Sequence, residues 1–181
     1  MLGHSFIRRL SEDLQSQFDE RANANFKLSR DAIVHLHGVG GLTVRRLVRS
    51  KLGVVSSLSP HVVILEIGTN DLSTLAPEVV GSEIEELVRL LLETYSVRAI
   101  GVCEVMPRVR APLFNAAART LNQYLNVVLD PIPNAFCWEH HGFSEPSQNP
   151  YSDGVHVNSF GQYVLYCSYR GAILHALRML S

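Results

Sequence analysis

Two groups able to run nucleophilic catalysis together stand at opposite ends of this chain. Asp153 and His156 lie three residues apart in Asp153-Gly154-Val155-His156. The pair follows a turn-rich run, Pro146 to Ser152, and precedes an apolar periodic segment, Tyr163 to Leu180, so it reads as a loop entering a helix. A carboxylate one turn from an imidazole can fix its tautomer and stabilise its charged form, which a general base requires. The nucleophile for such a base is absent locally, and the best candidate is Ser5 in Gly3-His4-Ser5-Phe6. Two further polar stretches lie between them, Gly38-Val39-Gly40-Gly41-Leu42-Thr43 and Gly68-Thr69-Asn70-Asp71. Each has a plain structural alternative. Ser5 suits a helix N-cap, Gly40-Gly41 a tight turn, Asn70-Asp71 an Asx-type turn, and Asp153 a capping position.

Taken in order, these four stretches resemble the four blocks of the SGNH/GDSL hydrolases: a GDS-like serine, a glycine block, a GxND block and a closing DxxH block. The likeness runs over nearly the whole chain, and the shared order is what separate capping and turn roles leave unexplained. The resemblance implies acyl-ester hydrolysis through a covalent acyl-enzyme, without cofactor or metal. Ser5 would be the nucleophile, His156 the base and Asp153 its orienting partner. The oxyanion hole would comprise the backbone N–H of Ser5, the backbone N–H of Gly41 and the side chain of Asn70. Two positions depart from the family pattern: His4 replaces the Asp before the serine, and Leu42 replaces the Asp after Gly41. Glu66, out of place in an apolar strand, is a candidate partner for His4. The stretches Gly38 to Arg46 and Gly68 onward resemble the catalytic subunits of intracellular platelet-activating-factor acetylhydrolase. The GHSF start and Arg-rich helices look like the esterase domain of LINE retrotransposon first-open-reading-frame proteins.

The elements that must position these residues alternate between strand and helix. Helices are expected over Phe6–Phe18, Thr43–Leu58, Pro77–Tyr95, Leu113–Leu129 and Ser159–Leu180, with strands over Ala32–Leu36, His61–Ile67, Val97–Met106 and Ala135–Trp138. His35 and His37 would share one face of the Ala32–Leu36 strand, but no third metal ligand accompanies them. Such alternation predicts an α/β fold: a three-layer α/β/α sandwich, and by resemblance a five-stranded parallel sheet of flavodoxin-like SGNH type. In such sheets ligands bind outside the carboxyl ends of the strands, where all four blocks fall. The loops Leu72–Ala76, Met106–Leu113 and Glu139–Ser152 are expected to wall the acyl pocket, with His140-His141 exposed on the last.

Composition narrows the remaining classes. The chain has 181 residues, enough for one domain with a sizeable core, and 46% are hydrophobic against 18% charged. A net charge of -1 gives no basic footprint for nucleic acid, and the cluster Arg45, Arg46 and Arg49 reads as a solvated face. Cys103, Cys137 and Cys167 have no metal-ligand spacing and suit a reducing, cytoplasmic compartment. No apolar run reaches membrane-spanning length. A serine on a strand-to-helix turn needs a strand before it, and only Met1-Leu2 precede this one, so residues 1–181 are expected to be a single domain of a longer protein. The expected partner is a small acyl ester or lipid, with membrane-surface contact and oligomerisation through outside regions as further candidates and no nucleic acid by this domain alone. The competing reading, motivated by His4 and Leu42, is a catalytically idle lipid- or acyl-binding module of the same fold.

Overall fold

Five short runs pair side by side in one parallel sheet: β1 (Leu2–Gly3), β2 (His37–Gly38), β3 (Val62–Glu66), β4 (Ala99–Cys103) and β5 (Ala135–Trp138). The computed structural model describes residues 1–16, 25–28, 32–143 and 150–181. Strand order is β2-β1-β3-β4-β5. The chain therefore moves outward one way from β1 to β2 and then the other way from β3 to β5. The reversal point, between β1 and β3, is where open α/β sheets bind ligands. The connecting helices are α1 (Ser5–Ser16), α2 (Val44–Ser50), α3 (Gly53–Leu58), α4 (Pro77–Thr94), α5 (Pro112–Leu129) and α6 (Ser159–Met179), with a short 3-10 turn at Asp71–Ser73.

The period-2 alternation of the strands divides the core into two layers. Val63 and Leu65 of β3, with Ile100 and Val102 of β4, pack under α2 to α5 beside Leu47, Ile84, Leu87 and Leu121. Ile64, Ala99 and Cys103 face the other way, against Ile7 and Leu10 of α1 and Leu165 and Ala172 of α6. Both faces of the sheet are covered, which is why its central strands β3 and β4 are apolar except at Glu66.

Two expected elements differ. Residues 32–36 do not form a strand, and β2 is confined to His37–Gly38. Its neighbour β1 offers only Leu2 and Gly3 for pairing. Upstream, the Asn25 side chain takes the place of a ladder: Nδ2 donates to Ala32 O at 2.5 Å, and Oδ1 accepts from Val34 N at 2.9 Å. His35 is exposed and outside the sheet, so it shares no strand face with His37. The helix expected over Thr43–Leu58 is two helices, broken where Lys51 caps α2 through its N–H to Leu47 O. Gly53, a weak helix former, opens α3. Val44, Leu47, Leu52 and Val55 are buried, whereas Val48 is 40% exposed.

Candidate active site

Ser5 is the first residue of α1, directly after β1 and His4. The ladder continues past β1 on both sides. His4 N donates to Glu66 O at 3.2 Å, and Val39 N donates to Gly3 O at 2.9 Å. The turn that presents Ser5 is thus held between β3 and the start of the glycine block, at the reversal point of the sheet. The first N–H groups of a helix have no intrahelical acceptor, and the dipole there favours negative charge.

The glycine block and the GxND block are tied to each other. Gly41 has a φ of +64°, a conformation glycine adopts at no steric cost. Asn70 Nδ2 donates to Leu42 O at 2.9 Å. An amide carries two hydrogens, so one stays available to a substrate oxygen. Asp71 is 2% exposed, and its Oδ1 accepts from Val44 N, the first N–H of α2, at 3.0 Å. Burial raises its pKa above the ordinary value. Leu42, where the resembled family carries Asp, is 1% exposed and packs in the core under α2 to α5.

At the other end, Asp153 and His156 form a compact pair. Asp153 Oδ1 accepts from His156 N at 2.6 Å and Val155 N at 2.9 Å, and Oδ2 lies 2.8 Å from His156 Nδ1. These bonds, the His156 backbone N–H foremost, hold the Asp153 carboxyl far below the usual carboxylate range. A carboxylate only accepts, so Nδ1 carries the hydrogen and Nε2 is left as the base. An antiparallel bridge between Tyr151 and Val157 closes the loop, and Ser152 N donates to His156 O at 2.7 Å. The loop is pinned to the neighbouring one by Val109 N on Gly154 O at 2.9 Å and Tyr151 OH on Pro107 O at 2.6 Å. A cleft of about 300 Å³ lined by Val109, Arg110, Tyr151 and Asp153 opens beside the pair.

The structure therefore joins Asp153 to His156, Asn70 to the residue after Gly41, and the Ser5 turn to the strand leading into Gly38. No hydrogen bond joins Ser5 Oγ to His156 among the described residues. Such contacts commonly tighten only around substrate. Of the expected pocket walls, residues 144–149 lie outside the described residues. His140 is not exposed as expected: it is 3% exposed, with Nε2 2.9 Å from Glu66 Oε2. The pull of that buried carboxylate overrides the loop character of its neighbourhood, while His141 is exposed. The pairing of His4 with Glu66 is present, with Nε2 3.4 Å from Oε1. Arg108 carries no motif that marks it in the sequence. Its Nη2 donates to Thr69 Oγ1 at 3.1 Å and Thr69 O at 3.3 Å, and its guanidinium lies 3.7 Å over the Phe114 ring.

The parallel α/β sandwich thus carries Ser5 at its reversal point and the Asp153–His156 pair on the same edge. Residues 2–164 match the GDSL-like Lipase/Acylhydrolase family, and the chain belongs to it. It is 32% identical over 116 residues to platelet-activating factor acetylhydrolase IB subunit alpha2 of Homo sapiens and of Rattus norvegicus. That match covers 60% of this chain and 50% of each relative, so the chain spans about half the length of the curated relatives it matches. Its fold is similar to a putative acylhydrolase from Bacteroides fragilis, with a TM-score of 0.72, 18% identity and coverage of 97% of this chain and 86% of the other. A carbohydrate esterase family 3 protein from Talaromyces cellulolyticus has a TM-score of 0.69 at 17% identity, with 100% and 98% covered.

Proposed function

We propose that the chain is a serine esterase that hydrolyses short-chain, acetyl-type esters through an acyl-enzyme. Ser5 Oγ attacks the carbonyl carbon while His156 Nε2 takes its proton. The carbonyl oxygen becomes an oxyanion held by the N–H groups of Ser5 and Gly41 and the free hydrogen of Asn70 Nδ2. Collapse expels the alcohol, protonated by His156. Water then attacks the acyl-enzyme with the same base, releases the acid and restores Ser5. The observation that carries this reading is the 2.8 Å Asp153–His156 contact, whose geometry leaves Nε2 as the proton acceptor.

Arg108, stacked on Phe114 and bonded to Thr69, occupies the flank of the loop bearing Asn70. The likeness to the platelet-activating factor acetylhydrolase subunit favours acetyl groups on lipids, at a membrane surface. The looser likeness to LINE retrotransposon esterase domains fits a lipid setting as well. The test is hydrolysis of 4-nitrophenyl esters from acetate to longer chains, beside Ser5→Ala. Turnover falling with chain length, and lost by several orders of magnitude in Ser5→Ala, is expected. Equal activity in both proteins overturns the assignment. A folded protein inactive on every ester, and unlabelled at Ser5 by a serine-directed phosphonate, establishes the idle binding module instead.

A further inference from the structure

Behind Ser5 lies a buried polar network that takes no part in the proposed bond-making steps. Glu66 is 2% exposed, on the sheet face covered by α1 and α6. Its Oε2 accepts from Tyr169 OH at 2.8 Å and His140 Nε2 at 2.9 Å. The remaining hydrogens run one way. Trp138 Nε1–H donates to Ser168 Oγ at 3.0 Å, which leaves the Ser168 hydrogen for His140 Nδ1 at 2.9 Å. His140 then keeps its own hydrogen on Nε2, facing the carboxylate, and each donor in the series has an acceptor. Burial pushes the Glu66 carboxyl up, but His140 and His4 outweigh it and leave the group well below its ordinary 4.5.

The fourth neighbour is His4. It is 1% exposed and stands edge-on to Phe6 at 4.8 Å between ring centroids. Neither ring nitrogen makes a directional hydrogen bond, and its Nε2 lies 3.4 Å from Glu66 Oε1. A buried carboxylate tolerates little displacement of its donors, because an unmet polar group costs its full desolvation. Glu66, Cys103 and His140 also bring three metal-ligating atoms within 4.8 Å of one another. The Glu66 oxygen and His140 nitrogen that would face an ion are already bonded to each other.

We propose that Glu66 is a positioning residue that holds the two halves of the active site in register from behind the sheet. Through His4 it fixes the turn presenting Ser5. Through Tyr169 and the Ser168–His140 link it fixes α6, which begins three residues after His156. The inference rests on the Ser5–His156 assignment above. Nucleophile and base come from opposite ends of the chain, and a misplacement of about 1 Å between such groups costs about 100-fold in rate.

The test compares wild type with Glu66→Gln, Tyr169→Phe, His4→Asp and the double variant His4→Asp/Glu66→Gln, with Ser5→Ala as control. Active sites are titrated with a serine-directed phosphonate, so that turnover is expressed per competent site. A merely structural role lowers the melting temperature and the titrated fraction but leaves turnover per site unchanged. The positioning role predicts a kcat per site lowered about 10- to 100-fold in Glu66→Gln, with KM within about twofold. Tyr169→Phe, which removes one donor and leaves the carboxylate, should show the same pattern in milder form. His4→Asp sets two carboxylates against each other and is expected to be the worst of the single variants apart from the Ser5→Ala control. Neutralising Glu66 beside it should recover about tenfold or more.

Wild-type kcat per site in both Glu66→Gln and Tyr169→Phe, or no recovery in the double variant, overturns the proposal. So does one equivalent of zinc in the purified protein that depends on Cys103 and His140. If Ser5→Ala is inactive while Glu66→Gln matches wild type, the positioning role alone falls. If Ser5→Ala keeps wild-type activity, the esterase assignment falls and the positioning role with it.

Discussion

At the scale of single residues, the chemistry turns on where a few hydrogens point. Asn70 spends one amide hydrogen on Leu42 O at 2.9 Å, and this fixes the direction of the other. A donor aimed in advance at an oxyanion stabilises the transition state more than the ground state. Asn70→Ala is therefore expected to lower kcat by about 100- to 1,000-fold with little change in KM. Steady-state kinetics on 4-nitrophenyl acetate measure this, and unchanged kcat removes Asn70 from the oxyanion hole. Residue-level legibility followed sequence distance except for the His4–Glu66 pairing, which an acidic residue in an apolar strand betrayed. Asp153 and His156 could be paired by eye because both belong to one short loop. His140 could not, because its partner Glu66 is 74 positions away and ends β3, whereas His140 follows β5 on the other side of β4. Arg108 was illegible for the same reason, since its contacts with Thr69 span 39 positions.

At the scale of elements, the nucleophile's helix is seated by a close crossing. A Cβ added to Gly38 would overlap the backbone of Ile7 and Arg8 in α1. That overlap involves main chain and cannot be relieved by turning a side chain. Gly38→Ala should push α1 off β2, destabilise the fold by about 1–3 kcal/mol, and displace Ser5. Thermal unfolding and phosphonate labelling together report it: a normal melting temperature with a normal labelling rate contradicts the crossing. Elements with strong internal signals were read well from the sequence. Expected strand β5 coincides with Ala135–Trp138, and the α4, α5 and α6 expectations lie within a residue or so of Pro77–Thr94, Pro112–Leu129 and Ser159–Met179. The misreading at 32–36 had a nonlocal cause. The alternation around Ile33 and Val34 was that of a strand, but its would-be partner β1 is two residues long and Asn25 supplies the substitute bonds. The break at Lys51–Gly53 was visible as Gly53, yet the apolar spacing on either side masked it.

At the scale of the whole molecule, the buried carboxylates set the response to acid. The folded-state pKa of Glu66 lies below its ordinary 4.5. Above that value both folded and unfolded chains are ionised there, and the stabilisation is complete. As pH falls below it, the unfolded chain takes up the proton first, and stability declines until the folded value is passed. Asp71 has the opposite sign, since burial raises it above 3.8 and its folded form accepts the proton first. Urea midpoints measured from pH 7 down to pH 3 should therefore fall less steeply below about 4.5 in Glu66→Gln than in wild type. Identical slopes would mean that Glu66 is not ionised in the fold. No described helix is long and apolar enough to cross a membrane.

The interior place of β1 has a consequence for how the protein comes into being. Leu2 pairs with His37 on one side and with Leu65 on the other, so the first strand to be synthesised is flanked by two that are made later. During translation the proposed nucleophile emerges long before its sheet neighbours, and its base emerges after them. On the proposed chemistry, a nascent chain has no partially active stage. Ester cleavage switches on only once α6 has left the ribosome and docked, so enzymatic activity doubles as a reporter of α6 docking.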